Sequence, residues 1–178
     1  MSAHLQTPAI ITSSRSRREA IFESAPERES VHPVRDSVQP LSVRSSAAFS
    51  VAPARLFYAL TIPEYIETWL TAPDIDEVHC SGNPAAGEAL SIELRLNHRA
   101  TASIFADYKN ISAQDLNLRW YLRSRTHTCV SQLHIAIRTV RADALLHIRH
   151  TGFSNPSDWH WHQELWGLSL TKMQMVIR

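Results

Sequence analysis

Three histidines, His150, His160 and His162, fall among Trp159, Trp161 and Trp166 near the end of the chain. An imidazole titrates near neutral pH, so a histidine facing a pocket can act as acid or base, or hold a ligand by a hydrogen bond. His150 is the candidate for that role, because its strand spacing puts it on one face with Leu146 and Ile148. The alternative for His150 is a structural histidine bonded to a nearby backbone carbonyl. Zinc needs ligands on one side of a helix, three or four positions apart. His160 and His162 are two apart and point in different directions, so no metal site is expected. Cys80 and Cys129 lack metal-type spacing and are too few for a disulfide framework. Both read as small buried or half-buried residues. Glu64 and Glu67 read as solvated faces. No paired inward carboxylates, nucleophile elbow or phosphate-cradling glycine loop is present, and four glycines leave little material for one. No catalytic residue beyond His150 is therefore named, and no cofactor is expected.

The large aromatics offer a different chemistry, that of an apolar pocket. Trp69, Tyr108, Trp120 and Trp166 fall on the inward side of their segments, and with His150 they form the candidate ligand-binding set. Core packing and pocket wall are not exclusive roles, because pockets are mostly apolar.

The elements that must position these residues follow from periodicity. Residues 42–50 alternate weakly and read as a first strand. Helical spacing of Leu56, Phe57 and Leu60 behind Pro53 predicts a short helix. Thr61 is the expected cap of a second, with Pro63 and Glu64 in its first turn and Tyr65, Ile66 and Trp69 on its apolar side. A short strand at 76–81 and a turn at 83–87 come next. Then Leu90, Ile92, Leu94 and Leu96 alternate with polar neighbours, the pattern of a strand dry on one face. Three more runs repeat it, with Ala102, Ile104, Ala106 and Tyr108 inward, then Leu116, Leu118, Trp120 and Leu122, then Leu133, Ile135 and Ile137. A last strand is expected at 144–152 after a turn at 141–143. Asn155 caps and Pro156 starts a final helix whose stripe is Trp159, His162, Trp166, Leu170, Met173 and Ile177. The expected architecture is α+β, a meander of antiparallel strands with its dry face covered by that helix.

Residues 1–41 differ in composition. Arg15, Arg17, Arg18, Arg28 and Arg35 balance Glu19, Glu23, Glu27, Glu29 and Asp36, and the apolar residues keep no period. Such a segment buries too little to offset an ordering entropy of roughly 1–2 kcal/mol per residue, so a disordered tail is expected before a domain at 42–178. No apolar signal-peptide core follows the start. The acid-free first eighteen residues suit either an organelle transit peptide or a start codon placed too early. At 178 residues, 44% hydrophobic and a net charge of +1, the composition is that of an ordinary globular domain. It gives no reason to invoke nucleic acid or a membrane surface, and no apolar run approaches the roughly 20 residues of a span. The default compartment is cytoplasmic.

Four segments together resemble the START-related superfamily with the helix-grip fold, and within it the domain named for the activator of Hsp90 ATPase. They are the helix pair ending at Trp69, Leu116-Asn-Leu-Arg-Trp120, Leu146-His-Ile-Arg-His-Thr-Gly-Phe153, and the final helix containing Trp166. The resemblance implies a curved antiparallel sheet gripping the long last helix around an internal pocket, with two short helices after the first strand. Its members include ligand carriers, cyclase-like enzymes, stress-response proteins and chaperone activators. The chain departs from the family where Leu165-Trp166 replaces a common Gly-Trp pair, and where Asn83-Pro-Ala-Ala-Gly87 replaces a glycine-rich turn. Three functions follow as expectations. The first is a non-catalytic domain binding a small apolar or aromatic ligand at Trp69, Tyr108, Trp120, His150 and Trp166. The second is a cyclase- or dehydratase-type enzyme using His150 as acid or base. The third is a partner of an Hsp90-type chaperone ATPase, using Arg95, Arg119 and Arg123 on the exposed sheet face.

Overall fold

A computed structural model describes residues 41–125 and 128–178. The tail expected at 1–41 lies, apart from Leu41, outside the described residues. Leu41 itself packs against the core.

The strands pair as the alternation requires. β1 (Ser42–Phe49), β2 (Glu77–Gly82), β3 (Ala89–Leu96), β4 (Arg99–Ile111), β5 (Asp115–Ser124), β6 (Thr128–Val140) and β7 (Asp143–Thr151) form one curved, open antiparallel sheet. Its spatial order is β1-β7-β6-β5-β4-β3-β2. β2 to β7 are successive neighbours, and β1 joins the far edge against β7, Ser42 opposite Thr151. Two-residue hairpins set parts of this register. Asn97 and His98 both take positive φ, the backbone sense that matches the twist of the flanking strands. Gly82 ends β2 at φ 126°, where a Cβ would come within 2.3 Å of the Ala89 carbonyl oxygen, so only glycine fits.

The connection from β1 to β2 crosses the whole sheet and carries α1 (Pro53–Thr61) and α2 (Pro63–Trp69). Ile62 closes the first helix and opens the second in an extended conformation, because the ring of Pro63 disfavours a helical residue before it. Thr61 does not cap α2 as expected. It is the last residue of α1, and its hydroxyl donates to the Phe57 carbonyl at 2.8 Å. Tyr65 also departs from expectation and is exposed, leaving Ile66 and Trp69 to carry the buried side of so short a helix.

α3 (Pro156–Val176) covers the concave face. The Asn155 side chain accepts from the Asp158 backbone N–H at 2.8 Å, the expected cap. Leu165, Trp166, Leu170 and Met173 are buried, each stabilising the packing by roughly 1.5–3 kcal/mol. Ser169, on the same side, accepts from the Thr71 N–H at 3.0 Å and donates to the Thr71 carbonyl at 2.8 Å, tying the exit of α2 to α3. Leu96 lines a depression with the inward Leu94, Ala102 and Leu122, in keeping with the alternation, but it is the last residue of β3 and is not buried. The register shifts between Leu94 and Arg95 because Thr101 is an extra residue on β4, and Leu96 ends partly exposed at the hairpin. Among the described residues, no helix is long and apolar enough to cross a membrane.

Candidate functional site

The inner faces of β3 to β6 meet α1, α2 and α3 around a small internal cavity of about 30 Å³. Trp69, Tyr108, Trp120 and Trp166 all line it, from α2, β4, β5 and α3 in turn. Aliphatic side chains such as Leu60, Leu90 and Leu118 fill the rest of the wall, and no charged residue reaches it. A bulge places Lys109 out of register immediately after Tyr108, where it is exposed.

The polar ends of the four aromatics are treated unequally. Trp69 Nε1–H donates to the Ala59 carbonyl at 2.8 Å. Trp166 Nε1–H donates to His150 Nδ1 at 3.0 Å. Tyr108 Oη and Trp120 Nε1 are buried without a hydrogen-bond partner among the described residues. Burial, with nearby Cys80 second, pushes the Tyr108 phenol above its ordinary range, so it stays protonated.

His150 stands behind this wall and not on it. It is fully buried on β7. An indole N–H only donates, so the bond from Trp166 makes Nδ1 an acceptor and leaves the proton on Nε2. Nε2 then donates to Ser131 Oγ at 2.8 Å, and the Ser131 hydroxyl turns toward the Trp120 carbonyl at 3.5 Å. Burial first, and the neighbouring His162 second, hold the imidazole well below its ordinary pKa. His150 is thus neutral, with both ring nitrogens engaged. Its ring packs against His162 at 4.6 Å, Phe153 at 4.9 Å and Trp120 at 5.6 Å. The serine–histidine contact resembles a nucleophile–base pair, but the proton sits on the wrong nitrogen for the imidazole to take one from Ser131.

His162 donates from Nδ1 to the Asp158 carbonyl at 2.7 Å, inside the core, whereas His160 faces outward toward Glu164. Among the described residues no group of His, Cys, Asp and Glu could hold a metal ion. Cys80 is half-buried, and burial, with the carboxylates of Glu67 and Glu64, pushes its thiol up to about 12. Cys129 is buried and pushed up to about 11. Neither is an activated nucleophile. Glu67 is not simply solvated as expected. It accepts from the Cys80 backbone N–H at 2.7 Å, covering an open position of edge strand β2.

On the outer face, Arg95 pairs with Glu93, Arg119 stacks over Tyr121 at 4.8 Å, and Arg123 is exposed. They lie on β3 and β5, with β4 between them. A denser basic group, Arg44, Arg138 and Arg149 with His134 and His147, lines a depression of about 510 Å³ over β1, β7 and β6. The sequence hides it, because its members come from strands far apart in the chain. The role of Ser131 is hidden in the same way, because its partners lie on β5 and β7, although it shares the inward alternation of Leu133 and Ile135.

No protein-family model matches the chain, and no curated protein resembles it in sequence. Solved structures do resemble it in shape. Protein CV1439 of Chromobacterium violaceum superposes with a TM-score of 0.62 at 16% identity, over 77% of this chain and 96% of that one. CalU16 of Micromonospora echinospora gives 0.57 at 16% identity, over 76% and 75%. DynU16, from the dynemicin biosynthetic locus, gives 0.59 at 12% identity, over 76% of this chain and 46% of that one. Likeness at such low identity shows the fold alone, and by it the chain is an α+β protein of helix-grip architecture.

Proposed function

We propose that this chain is a small-molecule-binding domain whose ligand, apolar or aromatic, lies between the sheet and α3. The observation that supports the reading is the convergence of Trp69, Tyr108, Trp120 and Trp166, from four separate elements, on one uncharged cavity. DynU16, of the same fold, comes from the dynemicin biosynthetic locus, which agrees with a ligand-binding role. The cavity is far smaller than the roughly 300–1,000 Å³ of typical ligand sites, so binding requires the wall to move. The short helices α1 and α2, which supply Leu60, Ile66 and Trp69, are the elements best placed to yield. His150 acts in this reading as a positioning residue that fixes the Trp166 indole. An acid–base role for it finds no support, because neither ring nitrogen is available to a substrate. The more specific likeness to the activator-of-Hsp90-ATPase domain stays part of the proposal and adds no residue to the site.

The test is native mass spectrometry of the full chain from a native-like host, beside the denatured spectrum. Mass present only in the native spectrum identifies a ligand to titrate. Trp120→Ala and Trp166→Ala should then weaken its binding more than Arg123→Ala does. Equal effects from all three variants would overturn this lining.

A further inference from the structure

The four aromatic side chains around the cavity carry four polar hydrogens, and the protein uses only two of them. Trp69 and Trp166 are bonded to Ala59 and His150. Tyr108 Oη and Trp120 Nε1 are as deeply buried and have no partner among the described residues. A buried polar group left unsatisfied costs about 1–3 kcal/mol, and a phenylalanine at either position would pack without that cost. The register makes the two a pair. Ala106 lies opposite Trp120 and Tyr108 opposite Leu118, so Tyr108 and Trp120 are diagonal neighbours on one face of adjacent strands. Such neighbours have backbones roughly 7–8 Å apart, and both side chains line the one cavity, so a single molecule that enters it meets both.

Resting on the binding-domain reading, we propose that the ligand is an uncharged, largely apolar molecule bearing a carbonyl-type acceptor, received by Tyr108 Oη–H and Trp120 Nε1–H. The indole can only donate. The phenol keeps its proton in this wall and donates as well. The phenol oxygen can also accept but the indole cannot, so an atom that meets both groups must be an acceptor, and an ammonium, which only donates, is excluded. The absence of any charged residue from the lining excludes a carboxylate or phosphate, because an anion there would lose its hydration without gaining a counter-charge. A ketone, aldehyde, ester or quinone meets both conditions, and the aliphatic remainder of the wall receives the rest of the molecule.

The test uses the full chain, uniformly ¹⁵N-labelled, titrated separately with acetophenone, ethylbenzene and benzoate. The Trp120 indole N–H resonance is identified by its loss in Trp120→Phe. Acetophenone should move that resonance downfield and bind about tenfold more tightly than ethylbenzene, the worth of one hydrogen bond in a dry site. Tyr108→Phe should lower this preference, and benzoate should leave the resonance in place. Equal binding of acetophenone and ethylbenzene would overturn the acceptor assignment and leave the binding domain standing. A Trp120 resonance already downfield and unmoved by the ketone would overturn it in favour of a cavity occupied by water. If neither neutral probe perturbs any wall tryptophan, the acceptor assignment and the pocket fall together.

Discussion

Acidification should unlock this fold through His150. In the unfolded chain the imidazole titrates near its ordinary 6.5, whereas in the folded chain burial holds it neutral to well below that. Above about pH 6.5 both states are neutral and the native state keeps its full stability. As pH falls below that point the unfolded state takes up a proton that the folded state refuses. Stability then declines by about 1.4 kcal/mol per pH unit for as long as the folded ring stays neutral. From pH 7.5 to 5.0 that amounts to about 2 kcal/mol, a large share of the 5–15 kcal/mol that holds a typical domain. Urea unfolding followed by tryptophan fluorescence at several pH values measures it. Other titrating groups contribute too, so the decisive quantity is the difference between the parent chain and His150→Gln. The glutamine amide is able to accept from Trp166 and donate to Ser131 without titrating. The variant should be less stable at pH 7.5, because it loses the ring contacts with Phe153 and His162, and the gap should narrow as pH falls. A gap that stays constant from pH 7.5 to 5.0 would refute the neutral, buried imidazole.

Three further outcomes follow from the geometry. Gly82→Ala should destabilise by about 3 kcal/mol or more in urea unfolding, because its φ of 126° and the 2.3 Å approach of the Ala89 oxygen strain any side chain there. Ser169→Ala should cost about 1–3 kcal/mol by leaving the Thr71 N–H and carbonyl without their partner, and should raise hydrogen exchange at Thr71 selectively. Cys80 and Cys129 should resist a thiol reagent such as Ellman's at pH 7 in the native chain and react once it is unfolded, since both thiols are held protonated.

Much of the fold was legible because a strand dry on one face repeats every second residue. Leu90 to Leu94, Leu116 to Leu122 and Leu133 to Ile137 declare their faces without any tertiary information. Tyr108 and Trp120 were legible as inward for the same reason, and Trp69 and Trp166 through the helical spacing of their apolar neighbours. The departures arise where a local rule meets a competing one. Leu96 is less buried than its place in the alternation implies because it ends β3 beside the hairpin. Thr61 fails because Pro63 moves the helix boundary one residue on, to Ile62. The alternation placed His150 on the inner face, but it could not say that Ser131 and Trp166 would take both its nitrogens. That depends on which strands lie side by side, as does the division of the four aromatics into two with partners and two without.

The strand order also carries a timetable. β2 to β7 are joined by short connections, and each can pair with its predecessor as soon as both exist. β1 is the exception. Made first among the described strands, it pairs with β7, which is made last of them. Loop-closure entropy must be met across nearly the whole domain before that pairing is rewarded. A ribosome therefore releases β1 as a strand without a neighbour and completes the meander beside it. The edge is sealed only when Asp143–Thr151 emerges. Until α3 follows, the apolar inner face stays open to solvent, and any chaperone that shields it must remain bound until that helix has emerged.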